Sequence, residues 1–403
     1  FTLAKQRGKL RLCRTSSKKL NCIMVPPPME NGRFPYKLYY LGGSIYTASH
    51  QSCAKLLAFI RTTEPAGSGK ASIWADPQPA APAIAAFSNA CRLSSLELND
   101  GTKASAHPGI YVWSSVLATY EQYGGSVADV VRSVVFGYDV CTRMAMLAID
   151  RIRELGLHNP GFVGGLGAVA AAGLMRGLSL DQLCNAFGIA AALLPVCPFV
   201  SFVEGADTKD LYGGWGVHLA MFAVDAAQRG LDGIKSLNTV FQGDAGKEIA
   251  LGAPYLINWL SIKQYPACFA VNPAVNAAFA LQEKYNIDTA EIESVLVDSY
   301  PYSYDLNNGV GRDPNTTSGR LSLYYTVAVA LIERSLTPDA FTAEKLKDPK
   351  YAELRGKITA KRHDAYGDGP KGIRACILEV HMKDGRVYQT EYNATDVHVV
   401  YSD

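Results

Sequence analysis

The sequence predicts a mostly α protein with a smaller α+β domain at its C-terminal end. Ala- and Gly-rich segments with apolar residues at helical spacing fill the middle of the chain, and near Leu260 the text changes to alternating runs rich in Val and Tyr. The 403 residues exceed the usual size of a single core, and a composition 48% hydrophobic and 19% charged can build two without staples.

In chain order, residues 1–50 read as an irregular basic arm interrupted by "PPP", with neither helical nor strand period. Residues 51–260 read as an all-helical domain. "QSCAKLLAFIRT", "APAIAAFSNACRLSSLEL", "YVWSSVLATYEQYGG", "SVADVVRSVVFGYDVCTRMAML", "FVGGLGAVAAAGLMRG" and "GWGVHLAMFAVDAAQRG" each carry the helical period, with small side chains that let helices approach closely. "SLDQ" at Ser179–Gln182 is a capping box that opens a further helix. Residues 261–403 read as the α+β domain. In it "NPAVNAAFALQEKYN" and "SLYYTVAVALIERS" are helical, "IESVLVDSYPYSYDL" alternates, and Lys383-Asp384-Gly385 joins two alternating runs as a β-hairpin does.

Composition narrows the function. A net charge of +2 gives no electrostatic reason for a nucleic-acid or membrane-surface partner, so a small molecule is the expected ligand. No apolar run reaches the roughly 18 residues of a membrane helix. Nine cysteines, dispersed and without CxxC, read as reduced thiols of a cytoplasmic compartment. The chain begins at Phe1 rather than Met and carries N-x-T tripeptides at Asn315 and Asn393, so a mitochondrial or secreted location stays open. "GGLGAVAAAG" contains GxGxxA but follows no buried strand, so a packed helix is the better reading than a dinucleotide site. The seven histidines lack metal-ligand spacing, and G-x-S-x-G is absent, so neither a metal nor a serine nucleophile is expected.

Three polar islands interrupt the apolar helical text: "ELNDGTKASAHPG" around His107, "GLHNPGFVGG" around His158 and "GADTKDLYGG" around Lys209. Each sets a His or Lys beside Pro or Gly where a helix begins, and helix starts favour anions. Singly, His107 and His158 would more often be helix-capping or core histidines, and Lys209 a solvated surface lysine. Together they point to a pocket for carboxylates.

The order of these islands, with "IKQYPACFAVNPAVNAAFAL" and "GRLSLYYTVAVAL" beyond them, resembles the MmgE/PrpD family of 2-methylcitrate dehydratase and cis-aconitate decarboxylase, from about Gln51 to Tyr392. The resemblance implies a helical domain plus an α+β lid with the active site between them, a homodimer, and chemistry on citrate-like acids without a cofactor. Carried over residue by residue, it puts catalytic roles on His107, His158, Lys209 and Tyr325, and substrate contacts on Glu97, Asp100, Thr102, Lys263 and Cys268. Arg320 joins them because a guanidinium can hold a carboxylate bidentately. The departures are Glu97 where the family has aspartate, Gly101 where it has threonine with Thr102 adjacent, and Cys268 where decarboxylase-like members have histidine. The expected function is therefore a lyase on a citrate- or aconitate-like acid, dehydratase before decarboxylase. The alternatives are an isomerase or epimerase working by proton abstraction, and a paralogue of altered chemistry or ligand binding alone.

Overall fold

A computed structural model describes residues 2–6, 9–13, 46–47, 51–64, 67–102, 105–235, 249–250, 254–308, 310, 313–367 and 373–394. They fall into two units. The first takes in Asn99–Phe199, Asp210–Ser261 and the described residues up to Ser95; the second takes in the described residues from Ile262 onward with Leu96–Leu98 and Val200–Lys209. Among the described residues no helix is long and apolar enough to cross a membrane.

The first unit is helical. It contains α1 (Gln51–Thr63), α2 (Pro82–Ser95), α3 (Pro108–Tyr123), α4 (Val127–Glu154), α5 (Asn159–Met175), α6 (Leu180–Ala192) and all but the first two residues of α7 (Thr208–Gln228). Helix α5 lies at the centre, because "GGLGAVAAAG" is apolar on every side and every residue of it is buried. Its glycines are the points of closest approach. A Cβ on Gly164 would strike the Tyr111 ring of α3, one on Gly165 would lie 2.9 Å from the Gly216 carbonyl oxygen of α7, and one on Gly167 would lie 2.6 Å from the Cys141 Cβ of α4. The GxGxxA pattern thus serves helix packing, inside a helix rather than at a strand-to-helix turn. Gly165→Ala is expected to lower stability by about 1–3 kcal/mol in denaturant unfolding, since the backbone it meets has no rotamer to change, and this outweighs alanine's helix propensity.

The capping box forms as read. The Ser179 hydroxyl accepts from the Gln182 N–H at 3.3 Å, and the Gln182 side chain accepts from the Ser179 N–H at 3.0 Å.

In the segment read as an irregular arm the structure has two strands, β1 (Thr2–Gln6) and β2 (Lys9–Cys13), paired antiparallel with Leu3 opposite Leu12. The third strand of this sheet, β3 (Ile249–Ala250), pairs with β1. "KLRLC" does alternate, and the basic composition obscured that period. Beyond these strands only Tyr46 and Thr47 of the arm belong to the described residues.

The second unit is a mixed sheet with helices. Helix α8 (Asn272–Tyr285) precedes β4 (Ile292–Ser299); α9 (Leu323–Glu333) precedes β5 (Ile358–Arg362), β6 (Ala375–Met382) and β7 (Val387–Asn393). The sheet runs β7-β6-β4-β5, antiparallel except for the parallel pair β4 and β5. Cys376, Leu378, Val380 and Met382 alternate along β6 into one core with Val295 and Val297 of β4, Ala274, Ala278 and Leu281 of α8, and Val327 and Leu331 of α9. The β6–β7 turn lies at the predicted place, with Gly385 at φ +87°. One expectation differs. "YPYSYDL" does not continue β4 but turns into the helix Pro301–Asn307, because Pro301 lacks an N–H for a ladder and its fixed φ suits a first helical position.

Candidate active site

The residues singled out in the sequence gather into two groups, one in each unit.

In the first unit, His107 is the N-cap residue of α3, yet its side chain does not cap the helix. That task falls to Asp100, fully buried, whose two carboxylate oxygens accept the Gly109 N–H at 3.1 Å each. The His107 ring nitrogen Nδ1 is hydrogen-bonded to the Asp100 backbone carbonyl. The loop between them closes on itself, since the Thr102 N–H donates to the Ala106 carbonyl at 3.0 Å and the Thr102 carbonyl accepts from Ser105 at 2.9 Å. His158 is the N-cap residue of α5, and here the side chain does cap: Nδ1 accepts the Gly161 N–H at 3.2 Å. Its own N–H donates to the Cys197 carbonyl at 2.8 Å, and the Phe199 and Tyr212 rings lie 6.2 and 5.8 Å away. The two helix starts are tied together by Asn159, whose carboxamide donates to the Ser105 carbonyl at 3.2 Å. They open at the same end of the bundle, because the Tyr111 ring of α3 packs on Gly164 within the first two turns of both helices.

In the second unit, Lys209 is 1% exposed, so it is no surface lysine. Its ammonium pairs with Oε1 of Glu97, while Lys263, 2% exposed, reaches Oε2 of the same carboxylate at 2.6 Å. The lysine ammoniums also lie 4.5 Å from the Phe202 ring centroid and 5.3 Å from that of Phe269, within cation–π range. Lys209 occupies the first turn of α7, where the helix dipole disfavours a cation, and Glu97 offsets that. Glu97 itself sits at φ +53°, a left-handed conformation in a residue that is not glycine. Next to it, the Leu96 carbonyl accepts from Nε of Arg320 at 3.3 Å; the same guanidinium donates to the Thr316 carbonyl at 3.1 Å and lies 4.6 Å over the Phe341 ring. The Arg320 carbonyl in turn accepts the Cys268 N–H at 2.9 Å. Burial pushes the Cys268 thiol up, Lys263 pulls it the other way, and the net direction is upward.

Lys209 therefore meets a protein carboxylate, and Glu97 faces the lysines. Tyr325, fully buried in α9, donates its hydroxyl to the Ala340 carbonyl and packs edge-on against Tyr351 and against Phe341, the ring that Arg320 covers. Asn315, the asparagine of the first N-x-T tripeptide, donates from Nδ2 to the Gly205 carbonyl at 2.8 Å and accepts from the Thr317 and Ser318 N–H groups at 2.9 Å.

One residue escaped the sequence reading. Asn99 is 1% exposed, and among the described residues neither heteroatom of its carboxamide has a hydrogen-bond partner; the same holds for the buried Thr102 hydroxyl. Buried polar groups are nearly always satisfied, so each one left over calls for an explanation. No spacing in "ELNDGT" signals this.

No curated protein matches the chain. The family models do: the MmgE/PrpD N-terminal domain matches residues 38–247 and the MmgE/PrpD C-terminal domain residues 265–400. The two matches span the helical text, both histidine islands, the buried Lys209 and the mixed sheet, and the chain belongs to the MmgE/PrpD family.

Proposed function

We propose that the protein is a cofactor-independent lyase that removes water from a citrate- or aconitate-like polycarboxylic acid. The observation that carries this reading is the pair of buried lysines, Lys209 and Lys263, held on the two oxygens of Glu97. Family membership supports a dehydratase-like enzyme. Taking a proton from the carbon beside a carboxylate builds negative charge on that carboxylate, and preorganised ammonium groups stabilise it. Arg320 adds a planar clamp for a second carboxylate.

Dehydration is preferred to decarboxylation on account of Asn99 and Thr102. A carboxamide and a hydroxyl both donate and accept, which complements a substrate hydroxyl; a carboxylate only accepts. Asn99→Leu is then expected to raise folding stability by about 1–3 kcal/mol, by removing a buried unsatisfied group of the same size, while turnover falls. The denaturant midpoint and the turnover number check the two halves. A lower midpoint would show that the carboxamide is structural.

The test of the proposed function is to incubate the protein with a panel of citrate-type and aconitate-type acids in heavy water and follow products and deuterium incorporation by NMR. Loss of the substrate hydroxyl with exchange at the neighbouring carbon is expected. Lys209→Ala is expected to slow this by about 10²–10³-fold, with a melting curve recorded alongside because the lysine is buried. Exchange without net reaction would instead identify an isomerase or epimerase. If no acid of the panel exchanges or reacts, the reading falls.

A further inference from the structure

We infer that the outer face of α7 seats a second copy of this chain, with the two α7 helices packed antiparallel across a twofold axis that passes between His218 and Leu219. The whole of this face lies in the first unit. Glycines fix which sides of α7 are already used. Gly216 meets Gly165 of α5, and a Cβ on Gly213 or Gly214 would lie 3.0 or 2.7 Å from the Ala90 or Phe87 carbonyl oxygen of α2, so two sides are packed main chain on main chain. The remaining side turns outward. Trp215 is 55% and Phe222 52% exposed on it, and Leu211, His218 and Leu219, partly buried, complete the stripe at helical spacing.

From Leu211 to Val224 the sequence holds no Asp, Glu, Lys or Arg, in a chain of which 19% is charged. His218 belongs to the same surface: its ring stacks on Trp215 with centroids 5.7 Å apart, and Phe87 of α2 stands edge-on to both, at 6.4 Å from Trp215 and 6.1 Å from His218. Burial pushes the His218 ring down from its ordinary pKa, against the pull of a backbone hydrogen bond with Ala83, so the neutral form is favoured. Solvated helix faces carry charge. An uncharged surface of rigid aromatic rings, half open to water, is what the centre of a protein interface contains.

The spacing identifies the occupant. Trp215 and Phe222 are two helical turns apart, about 10.5 Å along the axis, and stand at equal distances from the point between His218 and Leu219. A twofold axis at that point sets Trp215 on Phe222 of the second copy at one end of the seam and Phe222 on Trp215 of the second copy at the other. One turn further out, Leu211 comes over the small Ala226. A twofold contact uses one patch on both copies, so the patch must complement itself, and this one does; a different partner would give no reason for the symmetry. The exposed halves of the two rings amount to roughly 200 Å² per copy. Counted on both copies they supply about a quarter of the roughly 1,600 Å² of a standard interface, the share that a central cluster of dominant residues holds.

The inference does not depend on the proposed reaction, and its test is the mass of the full chain in solution. Sedimentation at micromolar concentration is expected to give a dimer, with a melting midpoint that rises with protein concentration. Trp215→Glu and Phe222→Lys are each expected to weaken the dimer about 10³-fold, because a substitution in a twofold contact counts twice. Both positions are half exposed, so each variant is expected to melt cooperatively. Mixed in equal amounts, the two variants are expected to dimerise again: the introduced carboxylate and ammonium then face each other at one end of the seam, and the native pair of rings is kept at the other. If a charged variant fails to fold, Trp215→Ser and Phe222→Ser are read in the same way. A parent that is monomeric, variants that stay dimeric, or a mixture that stays monomeric overturns the inference.

Discussion

Replacing Glu97 with alanine is expected to cost about 3–5 kcal/mol of folding stability, the largest effect of any single change at the site. The glutamate is 5% exposed and holds Lys209 on one oxygen and Lys263 on the other. Without it, two ammonium groups stay buried and lose their shared counter-charge. Glu97→Gln is expected to fare little better, because a carboxamide offers one accepting oxygen where two ammoniums need two. Chemical denaturation measures the loss. Two further readings separate charge from packing. The double variant Glu97→Gln/Lys209→Met removes one charge of each sign and is expected to recover part of the stability, as replacing a buried pair with apolar groups commonly does. Added tricarboxylate is expected to stabilise Glu97→Ala more than the parent, since a ligand that binds only the folded state adds about 2.7 kcal/mol at a hundredfold excess over its Kd. A Glu97→Ala protein as stable as the parent would show that the carboxylate does not hold the lysines.

His107→Ala is expected to lower turnover by about 10²–10⁴-fold with the fold intact. The histidine occupies the N-cap position of α3, but Asp100 supplies the cap, so alanine removes the bond to the Asp100 carbonyl and leaves the cap in place. Loss of that bond costs about 0.5–1.5 kcal/mol. His158→Ala is the contrast: it removes a true cap and is expected to cost about 0.5–2 kcal/mol of stability besides its effect on rate. Turnover measured beside a melting curve separates the two histidines. If His107→Ala unfolds the protein, its ring is structural.

What the sequence disclosed is what repeats along the chain. Helical period placed α2 to α7, the Ser179–Gln182 pair marked the start of α6, and Lys383-Asp384-Gly385 marked the last turn, because each is a relation between residues a few positions apart. The proline at 301 was equally visible, and it outweighed the alternation of the residues around it. The partnership at the heart of the second unit was hidden for the opposite reason: Glu97 lies 112 residues from Lys209 and 166 from Lys263, and no period spans such distances. Motif likeness pointed to all three residues but cast the lysines as partners of a substrate and the glutamate as a departure. The pairing of ammoniums with carboxylate emerges only in three dimensions. So do the unsatisfied carboxamide of Asn99 and the opposite partners of the two histidine rings, which depend on where the backbone turns rather than on which residues are present.

The close seam along α5 has a consequence for how such a protein can change over generations. Where Gly165 meets Gly216 and Gly164 meets the Tyr111 ring, main chain and ring face main chain, with no side chain on α5 to trim or enlarge by degrees. Most substitutions there force a helix to shift as a whole, and an interior packed as tightly as a crystal resists that. The perch of His158 at the start of α5 is in this sense frozen. New substrate preferences are left to arise at positions such as Asn99 and Thr102, whose side chains cap no helix, so drift in specificity and constancy of the scaffold are two results of one packing choice.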